Sequence, residues 1–358
     1  MPPNFDAKTM NQGKNYLDRN EFNFDPAFEV EEVIKNFDVK KLCFYTRIFG
    51  EGKKSIFSDY LAAEYDLAEK QVLLGYGGED ILKQVVHFFL TEEDGNKTIL
   101  IPNYSWWYYR SIADEVNGKS VEYPMYEDGD SFRYDIEALK NILSEQQPKI
   151  VMLATPNNPT GNMLSVQELE NILSFMPSTS IALIDESYAS YVTDDKTYVK
   201  HLVDCYPNVI IVRTLSKFYG LPGLRLGFGF MSASLERFIK YSTKYLGYNR
   251  LSEEIGIAVL KADGYYRKIA ESMNADRRIY EKELGNLPGF KVYKSNANFI
   301  LVKYPEEVKE SLQKALEESN YIIKFMDEPA LHSHMRITLG THEQNCAVIK
   351  TIKKTVNP

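Results

Sequence analysis

Cysteine is scarce in this chain. Cys43, Cys205 and Cys346 are the only three, and they lie far apart. Three scattered thiols build no disulfide framework, so a reducing compartment, the cytoplasm, is expected. Long apolar runs are missing as well. The longest have strand length, well short of the roughly 20 residues that a membrane-spanning helix needs. The first residues, Met1-Pro2-Pro3-Asn4-Phe5-Asp6, show neither a basic segment nor an apolar core, and no signal peptide is expected. Positive charge is in deficit: 42 Lys and Arg against 50 Asp and Glu leave a net charge of −8. No basic cluster offsets it, which disfavours nucleic acid as a partner. Lys53-Lys54 and Lys353-Lys354 are too short to be more than solvated surface. The five histidines lack ligand spacing. His332 and His334 could share one face of a strand, but no cysteine or paired carboxylate accompanies them, so no metal is expected.

What is present describes a globular enzyme. Its 358 residues, 44% of them apolar and 26% charged, can bury a large core and are expected to form two domains. Strands and helices alternate without internal repeat or low-complexity linker, the pattern of an α/β fold with a mostly parallel sheet. Residues 40–245 carry this alternation and form the expected large domain. After Asn249 the pattern changes to long charged helical stretches, around 252–286. Strands near 291–293, 298–302, 321–326 and 334–339 follow, with helices near 306–319 and 342–354. Residues 246–358, together with 1–39, form the expected small α+β domain.

Three segments carry chemistry. The most informative runs from Val209-Ile210-Ile211-Val212, a β-branched strand, into Arg213-Thr214-Leu215-Ser216-Lys217 and a Gly/Pro-punctuated turn that ends in Arg225. A lysine held at a strand end, with its pKa lowered, is a nucleophile for a carbonyl. The aldehyde of pyridoxal phosphate is one such carbonyl, and it brings a phosphate for Ser216 and Arg225. A solvated surface lysine is the ordinary alternative. Upstream, Ile150–Ala154 enters the rigid turn Thr155-Pro156-Asn157-Asn158-Pro159-Thr160-Gly161, where the Asn158 amide can donate to a ring oxygen. Between them, Ile181-Ala182-Leu183-Ile184 ends in Asp185-Glu186-Ser187-Tyr188. A carboxylate at such a strand end faces the ligand crevice of an open α/β sheet. Asp185 could pair with a protonated pyridine nitrogen and Tyr188 with a phenolic oxygen. A helix cap or a metal ligand is the plainer reading of Asp185.

Together these segments resemble the fold-type I aminotransferases of class I/II, and more narrowly the histidinol-phosphate aminotransferase branch. Asn-Pro-Thr-Gly, Asp-x-x-Tyr and Ser-Lys-x-x-x-x-x-Gly-x-Arg stand at family-like intervals, 27 residues from Asn158 to Asp185 and 32 from Asp185 to Lys217. The resemblance extends from Leu17 to the C-terminus. It implies further assignments. Gly77, Gly78 and Glu79 would offer backbone N–H groups to the cofactor phosphate at a helix N-terminus. Tyr104, two residues after Pro102, would stack on the pyridine ring, with Trp107 as substitute. Tyr45 would reach the neighbouring subunit's cofactor in a homodimer, although Thr46 stands where the family has proline. Arg336, flanked by apolar residues on a strand, would clamp a substrate carboxylate with a bidentate fork. Asn20 lies in a family-like Asn-Glu pair whose third place holds Phe22. Asn249 would stand near the phosphate. Lys324 replaces an arginine that holds a substrate phosphate.

The function implied is transamination through a Schiff base on Lys217, with pyridoxal 5′-phosphate as cofactor. A small-molecule amino donor and a keto acceptor would be the partners. Asp185 would keep the pyridine nitrogen protonated, and freed Lys217 would move a proton at the substrate Cα. Three alternatives stay open: a decarboxylase of a phosphorylated amino acid, a transaminase of another amino acid or phosphonate, and a cofactor-binding regulator. An intact Lys217 and the lack of room for a fused DNA-binding region argue against the last.

Overall fold

The computed structural model describes residues 13–45, 52–91, 96–244 and 247–356. The N-terminal hexapeptide and Thr46 lie outside the described residues. Strand β1 (Asn15–Leu17) comes first in the chain but joins a distant sheet. A seven-stranded sheet then takes β2 (Val72–Gly75), β3 (Thr98–Pro102) and β4 (Lys119–Tyr123). After a separate hairpin of β5 (Met125–Asp128) and β6 (Ser131–Tyr134), it adds β7 (Ile150–Ala154), β8 (Ile181–Asp185), β9 (Val209–Thr214) and β10 (Gly227–Met231). The order is β2-β10-β9-β8-β7-β3-β4. All neighbours from β9 to β4 run parallel, and β10 runs antiparallel to both β9 and β2.

The apolar runs predict this placement. Every residue of β7, β8 and β9 is buried. Parallel strands covered on both faces read as continuous apolar runs. Alternate residues divide between two cores. Val151, Leu153, Ala182, Ile184, Val209 and Ile211 face one; Ile150, Met152, Ile181, Leu183, Ile210 and Val212 face the other. With the strands parallel, Ala154, Asp185 and Thr214 end at the same edge, and ligands bind at the carboxyl edge of such sheets.

A five-stranded sheet holds β11 (Lys291–Val292), β12 (Phe299–Lys303), β13 (Tyr321–Phe325) and β14 (His334–Thr338), in the order β1-β13-β14-β12-β11. β1 pairs in parallel with β13, Leu17 opposite Ile323. That pairing delivers Asp18-Arg19-Asn20 to the cavity between the sheets. The charged stretch after Asn249 is two helices, Arg250–Lys261 and Asp263–Gly285. The second threads both cores. Tyr266 and Ala270 pack with the large sheet, while Met273, Tyr280 and Leu284 pack with the small one. Ala27 and Val30 also join the large core, so the hydrophobic clusters do not divide at 39/40 or 245/246. Among the described residues, no helix is long and apolar enough to cross a membrane.

Candidate active site

A cavity of about 570 Å³ lies between the carboxyl edge of the large sheet and the small sheet. Ligand clefts commonly have about this size. Asn20, Gly78, Glu79, Asn158, Asp185, Tyr188, Ser216, Lys217, Arg225, Lys324 and Arg336 all line it. These residues come from eight separate stretches of chain, brought together by the strand ends and the loops beside them.

Asp185 closes β8 and is 5% exposed. Its Oδ1 accepts from the Ser187 amide at 2.9 Å and the Ser187 hydroxyl at 2.6 Å, and its Oδ2 accepts from the Tyr109 hydroxyl at 2.7 Å. Three donors explain how an acid stays buried beside an apolar sheet. Lys217 lies just past the end of β9. Its Nζ donates to the Arg19 carbonyl at 3.2 Å and sits 5.9 Å from the centre of the Tyr188 ring. Tyr188 is 6% exposed, packs edge-on against Phe299, and accepts at its hydroxyl from Asn20 Nδ2 at 2.8 Å.

The anion cradle begins where β2 turns into the helix Gly78–Thr91. The first amides of a helix have no acceptor of their own, and its dipole favours negative charge there. Gly78 and Glu79 meet this condition. Gly77 does not: its N–H already donates to the Gly75 carbonyl at 2.9 Å, and it does not line the cavity. Its contribution is steric. With φ at +86°, a Cβ there would stand 2.6 Å from Arg225 Nη2. Gly227 is needed for the same turn, since its Cβ would fall 2.3 Å from the Gly77 carbonyl carbon. Arg225 donates to the Tyr76 carbonyl at 2.9 Å and pairs with Glu79 Oε1 at 3.0 Å. Ser216 Oγ and Thr214 Oγ1 share a hydrogen bond of 2.9 Å, and both residues line the cavity.

Arg336 faces this cradle from β14. Its Nη1 donates to Asn158 Oδ1 at 2.6 Å and its Nη2 to the Asp18 carbonyl. Nε is buried without a partner, as is Asp18 Oδ1. Burial holds the guanidinium below its ordinary pKa, partly offset by Tyr188 and Asp18. Because arginine only donates, it fixes Oδ1 of Asn158 as the acceptor and leaves Nδ2 available to donate.

Three expectations need correction. Tyr104 does not line the cavity; its ring packs edge-on against Phe132 at 5.5 Å, within the large core. Trp106 and Trp107 line it instead, and Trp107 is 65% exposed. The turn after Pro102 carries the chain past Tyr104 before it faces the cleft. Asn249 caps the helix Arg250–Lys261 by accepting from the Ser252 amide at 3.1 Å and does not line the cavity. Gly77, as above, has no free amide. Tyr45 is 70% exposed and lies outside its own chain's cavity. Lys324 stands at the mouth, with its ammonium paired to Asp327 and Glu328 beside it. His332 pairs with Glu306 at 3.2 Å, whereas His334 is buried against Tyr293.

Sequence reasoning missed Tyr109, Ser187, Thr214 and Asp18. Ser187 was open to inference, because a residue two places after an aspartate is well placed to donate to it. Thr214, two before Ser216, accepts from the Ser216 amide at 3.1 Å in the turn that follows β9, as a threonine there commonly does. Tyr109 gave no signal beyond an aromatic run.

The residues fit pyridoxal phosphate. A helix N-terminus, two hydroxyls and a guanidinium suit the phosphate, a fixed carboxylate suits the ring nitrogen, and an indole face is exposed for the ring. A sequence profile described as "Aminotransferase class I and II" matches residues 17–352. A histidinol-phosphate aminotransferase of Archaeoglobus fulgidus is 29% identical over 339 residues, covering 94% of this chain and 92% of that protein. One from Thermoanaerobacter sp. is 29% identical over 341 residues, with coverage of 94% and 92%. The solved histidinol-phosphate aminotransferase of Sinorhizobium meliloti, in complex with pyridoxal-5′-phosphate, superposes with a TM-score of 0.83. It is 20% identical and covers 96% of this chain and 90% of its own. The L-threonine-O-3-phosphate decarboxylase of Porphyromonas gingivalis shares the fold at a TM-score of 0.78 and 19% identity, with coverage of 96% and 99%. The chain belongs to the class I and II aminotransferases, enzymes that transfer an amino group with pyridoxal 5′-phosphate.

Proposed function

We propose that this aminotransferase acts on a phosphorylated amine of the histidinol-phosphate type, with an amino acid such as glutamate as donor. The observation that carries it is the cavity: Lys217, Asp185 and the Gly78/Ser216/Arg225 cradle on one wall, Arg336 with an unpartnered Nε on the other. The bound cofactor supplies a carbonyl for the amine and a ring that withdraws electrons from the reacting carbon. Lys217 Nζ would anchor the cofactor's carbonyl and would serve as the base and acid that moves a proton at the substrate Cα. Asp185 Oδ2 would hold the proton on the ring nitrogen. Asn158 Nδ2 and the Tyr188 hydroxyl would donate to the ring oxygen. Gly78, Glu79, Ser216, Thr214 and Arg225 would hold the phosphate, and Trp107 would offer its indole face to the ring. Arg336 binds the donor's carboxylate, and Lys324, at the mouth, binds the distal phosphate.

We also propose a homodimer. Phe28, Ile34, Val39, Leu42, Phe44 and Tyr45 are each more than half exposed within 18 residues, an apolar surface that a second subunit would cover. Tyr45 lies on that surface and reaches the partner's site. Three exposed free thiols suit a reducing cytoplasm.

The test is a panel of amino donors and phosphorylated amines, read by keto-acid formation. Release of a keto acid or aldehyde with retention of every carbon supports the proposal. Release of carbon dioxide from a phosphorylated amino acid, without amino transfer, replaces it with decarboxylation.

A further inference from the structure

Asp185 is held more completely than charge pairing requires. A carboxylate has about four lone-pair positions. The Ser187 amide and hydroxyl fill two on Oδ1, and the Tyr109 hydroxyl fills one on Oδ2. One position remains, on Oδ2. The two Ser187 bonds converge on a single oxygen, which leaves a pivot. The terminal torsion of aspartate is broad and does not itself fix the carboxylate plane. Only the bond from Tyr109 anchors the second oxygen.

Tyr109 is built for that bond. It is 3% exposed and lies in the first turn of the helix Tyr108–Asp114. Its ring is edge-on to Trp106 at 5.8 Å. Burial, and then the neighbouring Asp185, push its ionisation well above the ordinary tyrosine value, so the phenol stays a donor throughout the working range. A tyrosine serving only as packing would still need a partner for its hydroxyl, but any carbonyl would do, as Ala154 does for Tyr134.

We propose that Tyr109 is a positioning residue for transamination: its hydroxyl sets the plane of the Asp185 carboxylate so that the remaining Oδ2 lone pair meets the cofactor's ring nitrogen. The inference rests on the reading of Asp185 given above. It assigns to an aromatic, otherwise indistinguishable from its neighbours in a Trp-Trp-Tyr-Tyr run, the task of tuning the cofactor through a second residue.

The experiment uses the holoenzyme of Tyr109→Phe, which removes one oxygen and keeps the ring. The pH midpoint of the cofactor's visible absorption band should shift, and kcat should fall roughly tenfold, the scale of one charge-assisted hydrogen bond. KM for the amino donor should stay within about twofold, since the hydroxyl that is removed is directed to Asp185. An unmoved midpoint with unchanged kcat overturns the proposal. Should Tyr109→Phe not fold, Tyr109→Gln keeps an N–H donor and must titrate near the wild-type midpoint; a midpoint displaced as far as that of Tyr109→Leu overturns it. A double-mutant cycle separates the two readings. In an Asp185→Ala background, Tyr109→Phe should have no further effect, and a persisting full effect overturns the inference. Full turnover in Asp185→Ala alone sinks instead the assignment of Asp185 to the ring nitrogen.

Discussion

The two walls of the cavity are made differently. The large-sheet wall rests on strand ends. Asp185 and the Thr214–Lys217 segment follow directly from fully buried β8 and β9, and Ser187 and Thr214 give Asp185 and Ser216 hydrogen-bond partners within two residues. Behind it, Arg213 and Glu186 form an ion pair at 2.8 Å, 6% and 2% exposed, with Tyr65 and Tyr198 completing the hydrogen bonds. The small-sheet wall is assembled from three distant stretches: Asp18-Arg19-Asn20, Lys324 to Glu328, and Arg336. Its polar atoms are incompletely partnered, with Arg336 Nε and Asp18 Oδ1 left over, and its cation at the mouth, Lys324, is paired with an exposed neighbour, Asp327. A wall fixed by strand ends and short-range hydrogen bonds suits a resident cofactor. A wall with unmatched donors and acceptors suits a substrate that comes and goes.

Substitutions can break this comparison. Lys217→Ala should have the largest effect, a loss of turnover on the order of 10³ or more, in the range for losing a general acid–base group. Borohydride reduction of the wild type should leave the cofactor on the peptide that contains Lys217, and labelling on another lysine would remove it from its role. Arg336→Lys keeps the charge but loses the fork. KM for the carboxylate donor should rise about tenfold or more, because one charge-assisted bond is lost from a buried site. An unchanged KM would mean that the fork binds only Asn158 and Asp18.

The next expectation concerns pH. Burial pushes His334, inside the small-sheet wall, down to about 4, with Lys303 adding to the effect. The unfolded chain takes up its proton near pH 6.5, so the folded state loses stability as pH falls from there toward 4. Between pH 6.5 and 5 the loss should be on the order of 1.5 kcal/mol. His334→Phe should flatten this dependence in denaturant titrations; a slope equal to wild type would place the titrating group elsewhere. Lys324→Ala should have the smallest effect. An exposed pair is worth about 0–1 kcal/mol, so kcat/KM for a phosphorylated amine should fall only severalfold. Equal kcat/KM for that amine and its unphosphorylated parent, in wild type and in Lys324→Ala, would rule out Lys324 as a phosphate anchor.

The same contrast decides what was legible in the primary structure. The βα alternation, the strands at 150–154, 181–184 and 209–212, and the polar residues at their ends follow from period and punctuation. These are local properties, and the pairing of parallel strands brings their carboxyl ends to one edge. Lys217, Asp185, Asn158, Ser216 and Arg225 therefore stood out from their own neighbours. Two aromatics show the limit. Tyr104 and Trp107 lie three residues apart, and only the course of the turn after Pro102 settles that Trp107 reaches the cleft.

Local sequence thus determined the sheet, the polar strand ends and the family to which the chain belongs. It could do so because hydrophobic period and turn chemistry act over a few residues. The tertiary structure alone decided that Tyr109 meets Asp185 across 76 positions and Arg336 meets Asn158 across 178. It also decided that Asn20 reaches Tyr188 through the parallel pairing of β1 with β13. Such contacts depend on how helices and sheets pack, and the donor's own sequence neighbourhood carries no trace of its acceptor.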